Sequence, residues 1–181
     1  MSKEILRKKL IKLRKLNYIN QNLSFVRFEK IFKILNIKKD INIGGYYPIN
    51  SEIGCLEVLE QLEKKKYKLS LPVTKKNSNM DFYEWSFGET LRINKRGIPE
   101  PIAKKKVFPD ILIVPLVGFD KEKFRLGYGG GFYDRYISKI LKFKKIFTIG
   151  FAFSFQEIKK IPINQFDQKL DFILTNNGTI K

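Results

Sequence analysis

Residues Asp110 to Arg135 read DILIVPLVGFDKEKFRLGYGGGFYDR, and no other stretch constrains the fold as strongly. It opens on an apolar run, Ile111-Leu112-Ile113-Val114, with the composition of a buried strand. A glycine cluster follows, Gly127, Gly129, Gly130 and Gly131, with Arg125 two residues ahead of it. Phe132-Tyr133-Asp134-Arg135 then begins an amphipathic helix expected to reach about Leu141. Strand, glycine-rich loop and helix start, in that order, suit a phosphate. Backbone N–H groups crowd an anion only where no Cβ intervenes, and a helix N-terminus adds partial positive charge.

The loop is neither of the two common nucleotide fingerprints. It has no G-x-x-x-x-G-K-[ST], and G-Y-G-G-G-F lacks the last glycine of G-x-G-x-x-G. Glycines alone fit a plain connecting turn equally well. The flanking residues favour a nucleotide-phosphate site. Arginine neutralises phosphate oxygens with a planar fork, and an aspartate can hold the magnesium ion that bridges them.

Around this centre, apolar periodicity predicts helices over 2–17, with Leu6, Leu10 and Leu13 as its stripe, and over 23–35, with Ser24 as cap. A third helix is expected to open at Glu52 behind a Ser51 cap, with Cys55, Val58, Leu59 and Leu62 facing the core. Strands are predicted at 41–47, 67–73, 146–151 and 170–174, the last closing the chain. Met80 to Phe87 alternates at period two; it reads as a half-buried strand with core aromatics, or as one wall of a pocket for a flat heterocycle. Arg96 to Pro101 is a turn-rich crossing, and Lys104 to Lys106 follow on a loop. Lys3 and Arg7 stack on one face of the first helix, and Arg14 follows two turns later. From spacing alone that face is an ordinary solvated one, although two stacked cations also suit a phosphate chain. Helices alternating with strands predict an α/β fold, a single three-layer domain over 1–181 with a mainly parallel sheet flanked by helices.

Composition narrows the chemistry. There is no histidine, which excludes serine–histidine and cysteine–histidine catalysis and a histidine base. The lone Cys55 allows neither an internal disulfide nor a zinc cluster, and its place on a core stripe makes it a packing residue. No apolar run approaches the ~20 residues of a membrane helix, and the charged N-terminus lacks a signal-peptide core, so the expectation is a cytoplasmic protein with no membrane association. The net charge of +18 would suit nucleic acid or polyanionic small molecules. The lysines, however, are spread as Lys8-Lys9, Lys38-Lys39, Lys64 to Lys66, Lys75-Lys76, Lys104 to Lys106 and Lys144-Lys145. With no RNP or zinc-finger pattern beside them, they read as solvated faces, not as a specific nucleic-acid surface.

The run Pro115 to Arg135, above all RLGYGGGFYDR, resembles the signature of the 5-formyltetrahydrofolate cyclo-ligase family, also called methenyltetrahydrofolate synthetases. Three weaker anchors share the family's order: Lys3-x-x-x-Arg7, Tyr46-Tyr47-Pro48-Ile49-Asn50-Ser51-Glu52, and Ile161-Pro162 with Asp167 and Asp171. The resemblance implies an enzyme that uses ATP to cyclise 5-formyltetrahydrofolate to 5,10-methenyltetrahydrofolate. It implies ATP contacts from Lys3, Arg7, Arg125, Leu126, Gly127, Tyr128, Gly129, Gly130, Gly131, Phe132 and Tyr133, with Arg125 and Tyr133 catalytic. It further implies folate contacts from Tyr47, Glu52, Tyr128 and Phe132, and Mg2+ held by Asp134 and Asp167, with Asp171 the competitor. The partners so implied are small molecules, and the chain is expected to act as a monomer. A relative that kept the phosphate loop but changed its substrate remains the rival reading, since fold alone does not fix substrate.

Overall fold

The computed structural model describes residues 2–18, 23–37, 40–76 and 79–181. Its centre is an eight-stranded sheet. In chain order the strands and helices are α1 (Lys3–Leu16), α2 (Phe25–Leu35), β1 (Asn42–Gly44), α3 (Leu56–Lys64), β2 (Lys68–Thr74), β3 (Met80–Glu84), β4 (Leu91–Ile93), β5 (Pro99–Pro101), β6 (Lys106–Val107), β7 (Ile111–Pro115), β8 (Gly118–Phe119), β9 (Arg125–Leu126), α4 (Phe132–Ile140), β10 (Phe147–Ala152), β11 (Phe172–Thr175) and β12 (Thr179–Ile180).

The sheet order is β12-β11-β10-β7-β1-β2-β3-β6. Its five inner strands run parallel, and antiparallel strands close both edges. Strand β7 shows why: all of Ile111 to Val114 are buried, as a strand covered on both faces requires. Ile111 and Ile113 join the core under α2 and α3, whereas Leu112 and Val114 join the one under α4. A third cluster, Leu10, Val117, Leu126 and Ile161, fixes α1 against β8, β9 and the C-terminal segment. No helix among the described residues is long and apolar enough to cross a membrane.

Several expected boundaries move. The chain does not run straight from β7 to the glycine loop; a small β8–β9 hairpin intervenes. The third helix starts at Leu56 with Cys55 as its cap, because Asn50 and Ser51 take positive φ (49° and 59°) and turn the chain before it becomes helical. Glu52 thus sits in a tight turn, not in a first helical turn, and Ser51 is no cap. Ser24 does cap α2 by backbone position but makes no side-chain cap bond. The crossing at Arg96–Pro101 is the turn and second strand of the β4–β5 hairpin, and β12 follows the strand expected to end the chain. In the aromatic stretch, Phe82 packs on Tyr136 (4.9 Å between centroids) and Trp85 lies in the core beneath α2 and α3, so the core reading holds there. The lysine runs are exposed apart from Lys144, which is half-buried; Lys38-Lys39 lies outside the described residues.

Candidate active site

The chain leaves β1 to build one half of the sheet and β7 to build the other, so the ends of these neighbouring strands form a topological switch point, where α/β sheets bind ligands. A cavity of about 1090 Å³ opens there. Lys3, Arg7, Tyr47, Glu52, all of Arg125 to Asp134, and Asp167 line it. Every residue that the sequence nominated as a site residue therefore surrounds one space.

The phosphate-type wall comes first. Gly129 adopts φ +101° and Gly131 φ +65°, conformations that side chains rarely take. Gly131 is the N-cap of α4 and supplies no side-chain acceptor, so the helix N-terminus faces the cavity uncapped. Arg7 lies beneath this loop: its Nε donates to the Gly127 carbonyl (2.8 Å), and its guanidinium carbon is 3.4 Å from where a Cβ on Gly129 would stand. Lys3, one turn earlier, pairs with Asp167.

Arg125 differs from the simple expectation of a charge aimed at phosphate. It is 6% exposed, and it bonds inward, to Asp134 Oδ1 (2.7 Å) and the Gln168 carbonyl (2.9 Å). Burial lowers its pKa, and the Asp134 carboxylate opposes that effect. Asp134 also accepts from the Gln168 amide (3.0 Å), so this pair ties the start of α4 to the loop that carries Asp167. Asp171 accepts from the Thr148 amide (2.7 Å) and hydroxyl (2.8 Å), bracing β10 against β11, and does not line the cavity.

The opposite wall is the turn after β1. Glu52 is 6% exposed, with Oε2 accepting from the Ile49 amide (2.8 Å) and the carboxylate also accepting from the Tyr128 hydroxyl. Burial pushes its pKa from an ordinary 4.5 up to about 7, against the lowering effects of Ile49, Tyr128 and Arg14. The Tyr133 hydroxyl is driven well above its usual range by burial, so it stays protonated as a donor. Cys55 is buried, its thiol donating to the Tyr46 carbonyl (2.9 Å), and burial raises its pKa to about 12, which suits packing.

Sequence reasoning missed the third wall. The β4–β5 hairpin contributes Asn94, Arg96, Ile98 and Pro99, with the Arg96 guanidinium 4.5 Å above the Phe132 ring. Buried Glu100 holds the hairpin, bonding Arg92 (3.0 Å), Asn94 (3.0 Å) and the Thr74 amide (3.2 Å). The signal was present in Glu100 itself, a carboxylate between two prolines that needs partners if it is buried.

Hard oxygen donors suit Mg2+, which retains several waters and needs one or two carboxylates. Asp134 and Asp167, part-exposed at the cavity, are such donors. Among the described residues no group of three or more histidine, cysteine or acidic side chains could hold a metal alone, so phosphate oxygens and water would complete the shell.

The sequence profile described as the 5-formyltetrahydrofolate cyclo-ligase family matches residues 1–176. The 5-formyltetrahydrofolate cyclo-ligase of Escherichia coli K12 is 32% identical over 140 residues, 74% of this chain and 76% of that protein. Its namesake from Mycoplasma genitalium is 32% identical over 136 residues, covering 75% and 72%. Among solved structures, the 5,10-methenyltetrahydrofolate synthetase of Aquifex aeolicus superposes with a TM-score of 0.78 at 29% identity, over 99% of this chain and 92% of that one. The Mycoplasma pneumoniae synthetase shares the fold at a TM-score of 0.71 and 24% identity, over 97% and 99%.

Proposed function

From the chain's place in the 5-formyltetrahydrofolate cyclo-ligase family, to which it belongs, we propose that it closes 5-formyltetrahydrofolate to 5,10-methenyltetrahydrofolate at the cost of ATP. The observation that carries this reading is the facing of two unlike walls across one cavity: glycine amides with Lys3 and Arg7 on one side, buried Glu52 with Tyr47 on the other. The first wall suits a triphosphate. The second suits the paired N–H donors on a pterin's amino-pyrimidinone edge, which a carboxylate accepts well.

In the reaction, the formyl oxygen attacks the γ-phosphorus and ADP leaves. The phosphorylated oxygen is now a competent leaving group. The neighbouring bridge nitrogen attacks the formyl carbon, loses its proton, and expels inorganic phosphate. Chain residues have to align oxygen with phosphorus and neutralise charge, which requires no protein nucleophile and is consistent with the absence of histidine. In this reading Lys3, Arg7 and the 127–131 amides hold the phosphates, and Tyr128, Phe132 and Tyr133 lie between nucleotide and folate. Arg125 acts by fixing Asp134 and the α4 N-terminus. Mg2+, held by Asp134 and Asp167, would spread the charge on the phosphate oxygens. We extend the proposal to a monomeric, single-domain enzyme of the cytoplasm acting on small molecules.

The test is absorbance of methenyltetrahydrofolate on mixing protein, 5-formyltetrahydrofolate, Mg2+ and ATP. A rise that needs ATP supports the reading; ATP bound without a rise assigns the phosphate wall to another substrate. The phosphate wall has its own test. Gly129→Ala forces a side chain into φ +101° against Arg7. At a cost of about 1–2 kcal/mol for that backbone state, the KM for ATP should rise roughly five- to thirtyfold while that for folate holds. Equal change in both would separate Gly129 from the nucleotide.

A further inference from the structure

Arg14 is 1% exposed, a full charge buried on the inner face of α1. Its hydrogen-bond partners are neutral oxygens: the Leu116 carbonyl just after β7 (3.2 Å), the Asn50 carbonyl in the turn after β1 (2.8 Å), and the Tyr128 hydroxyl. Among the described residues its Nε has no hydrogen-bond partner. Burying a cation without a carboxylate in contact is a poor way to stabilise a fold, and the stripe it belongs to would pack well with leucine. What the charge does accomplish is to join three segments distant in sequence. Two of them, the Asn50–Glu52 turn and the glycine loop at Tyr128, are opposite walls of the cavity. The Tyr128 hydroxyl, accepting from Arg14, donates in turn to Glu52, so one chain of hydrogen bonds runs beneath both walls.

We propose that Arg14 is a positioning residue: through Tyr128 and Asn50 it holds the glycine loop and the Glu52 turn at one spacing, presenting carboxylate and phosphate amides together. The assignment rests on the folate reading of this cavity. The groups facing Glu52 are the Ile49 amide, the Tyr128 hydroxyl and the Arg14 guanidinium, with Tyr46, Cys55 and Tyr133 in its electrostatic surroundings. Arg14 is the cation of that set and favours the ionised carboxylate. Losing it leaves Glu52 ionised only at higher pH.

The experiment compares wild-type, Tyr128→Phe, Arg14→Met, Arg14→Lys and the Tyr128→Phe/Arg14→Met double variant by steady-state kinetics. Alongside, 13C carboxyl NMR of the full chain follows the titration of Glu52. Removing a hydrogen bond to a charged group should raise the KM for 5-formyltetrahydrofolate about tenfold or more in Tyr128→Phe and in Arg14→Met, with kcat changed less than about threefold. The double variant should be no worse than the worse single, since both break one chain. Arg14→Lys should recover only part, lacking the fork. The Glu52 midpoint should move to higher pH in Tyr128→Phe and Arg14→Met. Effects that multiply, or an unmoved midpoint in a folded variant, overturn the proposal. Should Arg14→Met not fold, Arg14→Lys, which keeps the charge but loses the fork, decides by its KM against its kcat. A wild type without turnover refutes the folate reading, whereas the NMR midpoint still judges Arg14.

Discussion

Replacing Asp134 by asparagine should lower kcat by about two to three orders of magnitude, the range seen when one preorganised electrostatic group is removed from an active site. Two losses converge. The asparagine cannot supply a charged oxygen to Mg2+, and it leaves Arg125, 6% exposed, without the carboxylate it pairs with at 2.7 Å. The helix start and the Gln168 loop then lose their shared anchor. A Mg2+ titration separates the two: the metal assignment requires half-maximal activity at a concentration at least about tenfold higher, whereas a purely structural role lowers kcat at an unchanged Mg2+ midpoint. Near-normal turnover would remove Asp134 from the mechanism altogether.

Glu52→Gln carries the second large effect, and it acts in opposite directions on binding and stability. The amide loses a charge-assisted interaction with pterin donors, so the KM for 5-formyltetrahydrofolate should rise about ten- to a hundredfold while that for ATP changes little. Stability moves the other way at alkaline pH. The folded protein holds the Glu52 proton up to about pH 7, whereas the unfolded chain releases it near 4.5. Between those values the folded state binds more protons, so the wild type loses stability as pH rises through the window, by about 3 kcal/mol in all. Glu52→Gln has no such proton to lose. Thermal melts at pH 5 and pH 8 should therefore show a smaller fall in Tm for the variant, and parallel falls would contradict a buried, proton-holding Glu52.

The site was legible where residue identity alone sets conformation, and illegible where partners set it. The glycines of 127–131 were read as a close-packing loop ahead of a helix, and the structure places them there, with Gly129 and Gly131 in positive φ. Lys3 and Arg7 were correctly placed on one helical face, but spacing could not show that the next residue of that stripe, Arg14, turns inward. Its burial depends on carbonyls and a hydroxyl 36 to 114 residues away. The turn holding Glu52 was hidden for a related reason: asparagine and serine in positive φ leave no periodic signal, so the predicted helix opened at Glu52, four residues ahead of its start at Leu56. The β4–β5 hairpin was visible as turns, yet its function as a wall follows only from where Glu100 anchors it. Asp171, the competitor of Asp167, stands just ahead of β11, and its carboxylate is bonded to Thr148, a contact that its place in the sequence does not reveal.

The docking of α1 bears on how the chain is made. Apart from the Asn50 carbonyl, its polar partners include Leu116, Gly127, Tyr128 and Asp167, between 102 and 164 residues further along. During synthesis the helix therefore emerges with Leu6, Leu10 and Leu13 uncovered, and it must wait for nearly the whole remaining sequence before it has a place to pack. A ribosome-bound chain stalled short of Leu116 would leave that apolar stripe with nothing to pack against and open to chaperones.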